Sequence, residues 1–135
     1  MTVRLQKQAL DLGIVTRNEL AMWEFYNVVL GLASAGEVTI PGVGRIRKLQ
    51  CGESLIKMLV PSAPPPADAR RGGYAAATGY RYCTLSVSGL SGLVEECRKA
   101  GHLISVEPRE LRPGTWVAMV EDPDGNTLEL FETHP

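Results

Sequence analysis

The chain has 135 residues, of which 44% are hydrophobic and 21% are charged, and its formal net charge is −1. This length and apolar content suffice for one compact domain with a hydrophobic core. The balanced charge disfavours a nucleic-acid-binding or membrane-surface protein, because both classes normally carry a basic excess. The three cysteines lack the spacing of metal ligands, which favours a reducing compartment. The sequence shows no apolar leader and no segment long enough to cross a bilayer, so we predict a soluble cytoplasmic protein.

The first half of the chain reads as one strand, one helix and three further strands. A strand is predicted over residues 9–16, and Asn18 is the predicted N-cap of the helix that follows. Apolar residues at helical spacing run up to Gly31, which is predicted to end the helix. This stripe consists of Met22, Phe25, Tyr26, Val29 and Leu30. Short strands are then predicted over residues 33–40, 45–50 and 54–60.

Residues 61–79 break the pattern, because they contain four prolines, three glycines and no hydrophobic period. This composition predicts a flexible loop over residues 62–79. Two interpretations stay open for it: a hinge between two modules, or a lid that closes over a cavity.

After the loop the same plan recurs. A strand over residues 80–87 precedes a helical stripe that ends at Gly101, and strands follow over residues 103–106 and 115–120 and at the end of the chain. The distance from Gly31 to Gly101 indicates an internal repeat of roughly 70 residues. The predicted fold class is therefore α+β, with two tandem βαβββ modules (about residues 8–61 and 80–133) in a single domain spanning residues 1–135.

The last strand is introduced by a well-defined turn. Pro123 suits the first central position of a type I turn, Asp122 caps that turn, and Gly125 takes the positive φ that follows. Beyond the turn, Leu128 and Leu130 alternate with polar residues, so Glu129 is predicted to lie on the face opposite the two leucines.

Three segments resemble the vicinal oxygen chelate superfamily, which includes glyoxalase I, methylmalonyl-CoA epimerase, extradiol dioxygenases and bleomycin-resistance proteins. They are residues 25–32 (FYNVVLGL), residues 96–101 (ECRKAG) and residues 122–131 (DPDGNTLELF). The resemblance implies that the two modules form curved sheets around a cavity for a small-molecule substrate. It also implies a homodimer, in which modules pair within one chain or exchange between two chains.

In metal-dependent members of that superfamily, the first and last strands of each module supply His, Gln or Glu ligands. Counting from the matched segments puts the equivalent positions at Asp11, Lys57, Tyr82 and Glu129, of which only Glu129 keeps the family's residue type. A protonated lysine cannot ligate a cation, so the expected site is metal-free, with Asp11, Lys57 and Glu129 forming a mixed-charge cluster. The alternative is a divalent metal ion held by Asp11 and Glu129.

Three functions follow from this site. The first is an isomerase, epimerase or lyase that moves a proton next to a carbonyl, with Glu129 as the base. Lys57 or Tyr82 would then donate a proton or hold the oxyanion, with Asp11 completing the catalytic set. The second is a non-catalytic binding protein of the antibiotic-sequestering type, and the third is a metal-dependent enzyme of glyoxalase or dioxygenase type. A purely structural Asp11–Lys57 ion pair is also open.

Four further residues are candidates for substrate binding. Arg45 and Arg47 suit an anionic substrate, although a solvated basic edge is the simpler interpretation. Trp116 and Phe131, together with Tyr80 and Tyr82, suit an aromatic groove, although aromatic side chains in strands more often belong to the core.

Overall fold

The computed structural model describes residues 1–134 and contains both predicted βαβββ modules. Within this range, no helix is both long enough and apolar enough to cross a membrane. The strands are β1 (Leu12–Val15), β2 (Ser34–Ile40), β3 (Gly44–Cys51), β4 (Ser54–Pro61), β5 (Tyr82–Ser86), β6 (Ile104–Arg112), β7 (Thr115–Glu121) and β8 (Thr127–Thr133), and the helices are α1 (Glu19–Trp23) and α2 (Leu90–Lys99).

Each module forms one four-stranded mixed sheet, and the two sheets have the same topology. The strand order is β1-β4-β3-β2 in the first sheet and β5-β8-β7-β6 in the second. In both, the first and last strands pair in parallel and the other pairs are antiparallel. The predicted α+β architecture of two tandem modules is therefore confirmed.

The first helix begins and ends where predicted but differs in its interior. Asn18 is the N-cap of α1, although its side chain makes no capping hydrogen bond. After Trp23 the helix widens into π-helical turns over Glu24–Val29, where the Leu30 N–H donates to the Phe25 carbonyl at 2.9 Å. Gly31 then ends the helix with φ +74°, as predicted.

Strand β6 extends to Arg112, well beyond the predicted residues 103–106. Pro108 interrupts the apolar alternation, and the pairing with β7 shifts register between Val106 and Arg109. A bulge at proline is compatible with a sheet edge, because the missing N–H does not have to face a partner strand. Backbone hydrogen bonds to β7 stabilise the polar half of β6. Hydrophobic periodicity cannot predict this half, because it contains few apolar residues.

One hydrophobic core lies between the helices and one face of each sheet. Leu128 and Leu130 belong to this core, whereas Glu129 between them faces away from it, as predicted. We call the face of each sheet that is turned away from the core its open face. Core residues come from both modules: Ile14, Met22, Phe25, Tyr26, Leu49, Ile56, Met58, Leu90, Val94, Cys97, Ala118, Val120, Leu128 and Leu130.

The turn before β8 has the predicted geometry. The Gly125 N–H donates to the Asp122 carbonyl at 2.9 Å, and Gly125 has φ +85°. One carboxylate oxygen of Asp122 accepts the N–H groups of Asp124 and Asn126 at 3.0 and 2.9 Å. These bonds fix the direction in which β8 leaves the turn.

A buried hydrogen bond joins this turn to the first module. The Tyr26 hydroxyl donates to Oδ2 of Asp122 at 2.6 Å, and the Thr16 hydroxyl donates to Asp124 at 2.5 Å. Burial raises the pKa of Tyr26 well above its ordinary value, so the phenol stays a donor at neutral pH. Burial also raises the pKa of Asp122, while its hydrogen bonds from Tyr26 and Asn126 oppose that shift. The start of β8 is thus fastened to the helix of the other module.

We expect Tyr26→Phe to lower the free energy of unfolding by about 1–3 kcal/mol, because it removes one of the hydrogen bonds that satisfy a buried carboxylate. Urea unfolding followed by circular dichroism measures this change. The matched control is Tyr80→Phe, because Tyr80 is fully exposed and its loss should stay within about 0.5 kcal/mol. Equal effects of the two substitutions would contradict the proposed link between the modules.

Candidate functional site

A cleft of about 200 Å³ lies between the two modules. It is bordered by β1 and β5, which are the outer strands of their respective sheets. Both strands therefore leave a backbone edge facing the cleft. The lining residues are Leu12, Gly13, Ile14, Val15, Tyr26, Tyr80, Arg81, Tyr82, Cys83, Asn126, Thr127 and Leu128.

Asp11 and Lys57 meet at the start of the first sheet. The Lys57 ammonium lies 3.8 Å from Oδ2 of Asp11, whose Oδ1 accepts hydrogen bonds from Lys7 at 2.7 Å and from the Leu55 N–H at 2.8 Å. The bond from Lys7, followed by that from Leu55, lowers the pKa of Asp11. A carboxylate that is held ionised by several donors is a weak base. These contacts favour the ion-pair interpretation of Asp11 over a catalytic one.

Lys57 lies on the open face, and its side chain is 45% exposed. Its neighbours along β4, Ile56 and Met58, point the other way into the core. Directly across the ladder from Lys57 lies Lys48 of β3, so two ammonium groups share one face. Like charges in opposed positions repel each other, and an anion on this face would relieve that repulsion.

Glu129 lies on the open face of the second sheet. The Thr84 hydroxyl of the neighbouring strand donates to its Oε1 at 2.8 Å. Within residues 1–134, no lysine, arginine or histidine nitrogen lies within 4.0 Å of this carboxylate. The predicted mixed-charge cluster is therefore right for Asp11 and Lys57 but wrong for Glu129. The hydrophobic periodicity of β8 predicted the correct face for Glu129. Whether its carboxylate contacts Lys57 depends on how the two sheets are placed, which the pattern of one strand does not show.

Tyr82 lies beside Glu129 on the same face, since Tyr82 pairs with Thr127 and Thr84 pairs with Glu129. Its side chain is 53% exposed. The ring of Tyr74 packs edge-on against it, with centroids 6.3 Å apart. The phenol hydroxyl of Tyr82 thus belongs to the candidate site, at a place that the 62–79 loop also reaches.

Contacts hold the 62–79 loop against the rest of the domain. A short 3₁₀ turn forms at Tyr74–Ala76, Arg17 makes an ion pair with Asp68, and Arg71 donates to the Pro123 carbonyl at 3.0 Å. A second cleft of about 270 Å³ lies between this loop and the closing turn. The loop therefore has defined attachment points next to the site, which suits the lid interpretation.

Arg45 and Arg47, the candidates for binding an anionic substrate, do not lie on the open face. Arg47 pairs across the ladder with Met58, a core residue. Glu19 of α1 accepts from Arg45 at 2.5 Å and lies 3.4 Å from Arg47, and the Arg47 guanidinium stacks 3.7 Å above the Trp23 ring. Carboxylates of neighbouring elements neutralise both arginines. The sequence pattern of a single strand cannot show such contacts.

Trp116 and Phe131 lie on opposite faces. Trp116 pairs with Glu132 and packs against the core. Phe131 alternates with Leu130 and shares the face of Glu129. The other two aromatic candidates, Tyr80 and Tyr82, line the cleft between the modules.

The four superfamily positions do not fit a divalent metal ion. A cation such as Zn²⁺ requires several ligand atoms with available lone pairs at short range, whereas a lysine ammonium offers none and a tyrosine phenol is a poor ligand. Across the described residues 1–134, no three His, Cys, Asp or Glu side chains are grouped for metal binding. Asp11, one of the two alternative ligands, already accepts hydrogen bonds from Lys7 and the Leu55 N–H.

Sequence reasoning missed Arg81. This residue lines the cleft between β1 and β5, and its Nη2 donates to the Arg70 and Gly73 carbonyls at 2.9 and 2.8 Å. Its Nε is buried without an acceptor. The available signal was its position between Tyr80 and Tyr82 at the start of a strand that carries a predicted site residue.

Comparison with known proteins now identifies the family. The sequence profile of the Glyoxalase/Bleomycin resistance protein/Dioxygenase superfamily matches residues 12–130. The chain belongs to this superfamily. A lactoylglutathione lyase of Arabidopsis thaliana is 36% identical to it over 63 residues, which is 46% of this chain. The match spans only 22% of the plant protein.

Solved structures of the superfamily share the fold. A glyoxalase family protein from Bacillus cereus superposes with a TM-score of 0.84 at 18% identity, over 98% of this chain and 97% of its own. The trypanothione-dependent glyoxalase I of Leishmania major superposes with a TM-score of 0.71 at 21% identity, over 91% of this chain and 84% of its own. The predicted resemblance to the superfamily is thus confirmed.

A substitution at Asp11 tests whether the charge of this side chain stabilises the fold. Because the pKa of Asp11 lies below its ordinary value of 3.8, its ionised form stabilises the fold above that pH. The contribution disappears as the pH falls through the lowered pKa. Asp11→Asn should therefore lower the denaturation midpoint at neutral pH, and the deficit should vanish in acid.

The control for this comparison is Glu53→Gln, because Glu53 is exposed. Its denaturation midpoint should follow that of the unsubstituted protein at both pH values. A deficit of Asp11→Asn that is the same in acid as at neutral pH would show that the charge of Asp11 does not stabilise the fold.

Proposed function

We propose that this chain is a small-molecule enzyme that moves a proton on a carbon next to a carbonyl group, without a bound metal ion. Glu129 accepts the proton and Lys57 stabilises the negative charge that develops on the carbonyl oxygen. The observation that carries this proposal is the distribution of charge on the open faces. Glu129 has no cationic partner in residues 1–134, while the Lys57 ammonium is accessible.

Glu129 meets the first requirement of a general base. Its carboxylate is half-buried on a strand, where the Thr84 hydroxyl orients it through one oxygen. The second oxygen is not engaged by a side chain of the described residues, so it can receive a proton from a substrate. A base on a strand also moves less than one on a loop, which favours proton transfer at a fixed distance.

Lys57 supplies the positive charge that this chemistry requires. Removing a proton next to a carbonyl places negative charge on the oxygen, and a fixed cation lowers the energy of that state. The separation of 3.8 Å from Asp11 is long for a charge-assisted hydrogen bond, so the ammonium can turn toward a ligand. Lys48, directly opposite, adds a second positive charge to the same face.

Tyr82 and the 62–79 loop complete the proposed site. The exposed Tyr82 hydroxyl can donate a hydrogen bond to the substrate on the face that carries Glu129. Tyr74 covers one side of the Tyr82 ring from the loop. Closure of this loop over Glu129 would exclude water from the reacting groups, as active-site lids do.

The structure weakens the case for a non-catalytic binding protein. That function rested on an aromatic groove formed by Trp116, Phe131, Tyr80 and Tyr82, of which Trp116 packs against the core while Tyr80 and Tyr82 line the cleft. The relative from Arabidopsis thaliana is named as a lyase. We therefore infer a lyase or isomerase, with the carbonyl compound as its small-molecule substrate.

We further propose that two copies assemble as a homodimer. The open face of the first sheet carries apolar side chains at Val38 and Ile40 of β2, each 39% exposed, and at Val15 of β1. A second chain that covered this face would bury these side chains and enclose the site around Lys57.

The cysteines at 51, 83 and 97 are all free thiols, which suits the reducing environment of the cytoplasm.

The decisive substitution is Glu129→Gln, which keeps the acceptor for Thr84 but removes the base. Small carbonyl compounds, including lactoylglutathione, are incubated in D₂O, and NMR records deuterium uptake next to the carbonyl. The unsubstituted protein should catalyse uptake on at least one compound, and Glu129→Gln should slow it by about 100-fold or more. Glu107→Gln, on the surface beside Arg98, should leave the rate unchanged. Equal rates for both variants and the unsubstituted protein would refute the role of Glu129.

A gain-of-function substitution tests the role of Lys57. Lys57→Glu combined with Tyr82→His restores ligand types at two of the four superfamily positions. We expect this double variant to bind Zn²⁺ more tightly than the unsubstituted protein, because a cationic residue is replaced by an anionic ligand. Isothermal titration calorimetry measures the difference, with Lys57→Met as the control for loss of charge alone. Tight stoichiometric Zn²⁺ binding by the unsubstituted protein would contradict the proposal.

A further inference from the structure

The cleft between β1 and β5 contains a guanidinium group whose charge is not neutralised. Within residues 1–134, no carboxylate oxygen lies within 4.0 Å of the Arg81 nitrogens. The other arginines near the sheet layer differ from it, since Arg45 and Arg47 both contact Glu19. Arg81 is also half-buried, and a partly desolvated charge without a counter-charge is costly.

Backbone carbonyls hold Arg81 in place and leave one end of its fork available. Nη2 donates to the Arg70 and Gly73 carbonyls, and Nε is buried without an acceptor. Nη1 makes no hydrogen bond to a side chain or backbone atom of residues 1–134 and is not among the buried nitrogens. Its N–H groups are therefore free to donate to a ligand in the cleft.

We propose that Arg81 binds the carboxylate of a small organic acid that occupies the cleft between β1 and β5. A guanidinium N–H forms a charge-assisted hydrogen bond with a carboxylate oxygen. Because Nη2 is already engaged and Nε is buried, the carboxylate is bound through Nη1 alone and the contact is not bidentate. The ligand carboxylate supplies the counter-charge that the protein does not provide.

The walls of the cleft define the rest of the ligand. Leu12, Ile14 and Leu128 give it an apolar side, so the acid carries a hydrocarbon or aromatic body. The volume of about 200 Å³ is below the roughly 300–1,000 Å³ of sites for drug-sized ligands. A single-ring or short-chain acid therefore fits the cleft better than a large ligand.

The cleft and the proposed catalytic face share two residues, Tyr82 and Thr127. The cleft therefore borders β8, the strand that carries Glu129. If the proposed function holds, the substrate is an anionic carbonyl compound. Binding of an organic acid at Arg81 does not itself depend on any reaction.

Benzoate and benzamide form a matched pair of probes, because they share the aromatic ring and differ in charge. Each is titrated into the ¹⁵N-labelled protein, and NMR chemical shifts give the dissociation constants. We expect benzoate to bind more tightly than benzamide and to shift the amide signals of residues 12–15 and 81–83. Arg81→Met should weaken benzoate binding by about tenfold or more and leave benzamide binding unchanged.

Two further variants act as controls. Arg112→Met removes a charge from the exposed end of β6 and should not change benzoate binding. Arg81→Lys keeps a cation and should retain part of the preference for benzoate, which separates loss of charge from a failure to fold.

Two outcomes would overturn the proposal. One is equal binding of benzoate and benzamide by the unsubstituted protein. The other is benzoate binding that survives Arg81→Met but is lost in Lys57→Met, which would place the anion on the open face of the first sheet. Benzoate binding and its loss in Arg81→Met are measured without any reaction, so failure of the proposed reaction and failure of this binding site give different results.

Discussion

Burial of one face of each sheet under the helices is the constraint on which the site depends. Successive side chains of a strand point to opposite faces, so burial of Leu128 and Leu130 forces Glu129 outward. Burial of Ile56 and Met58 does the same for Lys57. The hydrogen bond from Tyr26 to Asp122 then fastens β8 to the helix of the other module. The core therefore determines which charges reach the open faces.

The distribution of counter-charges separates structural cations from functional ones. Glu19 of α1 and Glu37 of β2 neutralise Arg45 and Arg47. Lys57 has a single, loosely held partner in Asp11, and Arg81 has only carbonyl acceptors within residues 1–134. Positive charges that the protein does not neutralise can bind negative charge on a ligand. At Arg81 the ligand carries a permanent negative charge, and at Lys57 the negative charge develops only during the reaction.

The sequence sufficed to predict the two modules, the closing turn and the face of Glu129, because each depends on local periodicity or on glycine and proline chemistry. It failed where the outcome depended on contacts between elements. The sides taken by Arg45 and Trp116 follow from strand registers, and the π-helical turns of Glu24–Val29 follow from packing. The importance of Arg81 depends on an absent counter-charge, which no local pattern can express.

Treatment with a chelator tests the central claim most directly, namely that the lysine ammonium performs the charge stabilisation. Deuterium uptake into a carbonyl substrate is measured before and after exhaustive dialysis against EDTA, and again after addition of Zn²⁺, Ni²⁺ or Mn²⁺. The account predicts the same rate in all samples, with Lys57→Met much slower in each. A rate that falls on dialysis and returns with one of these ions would contradict it.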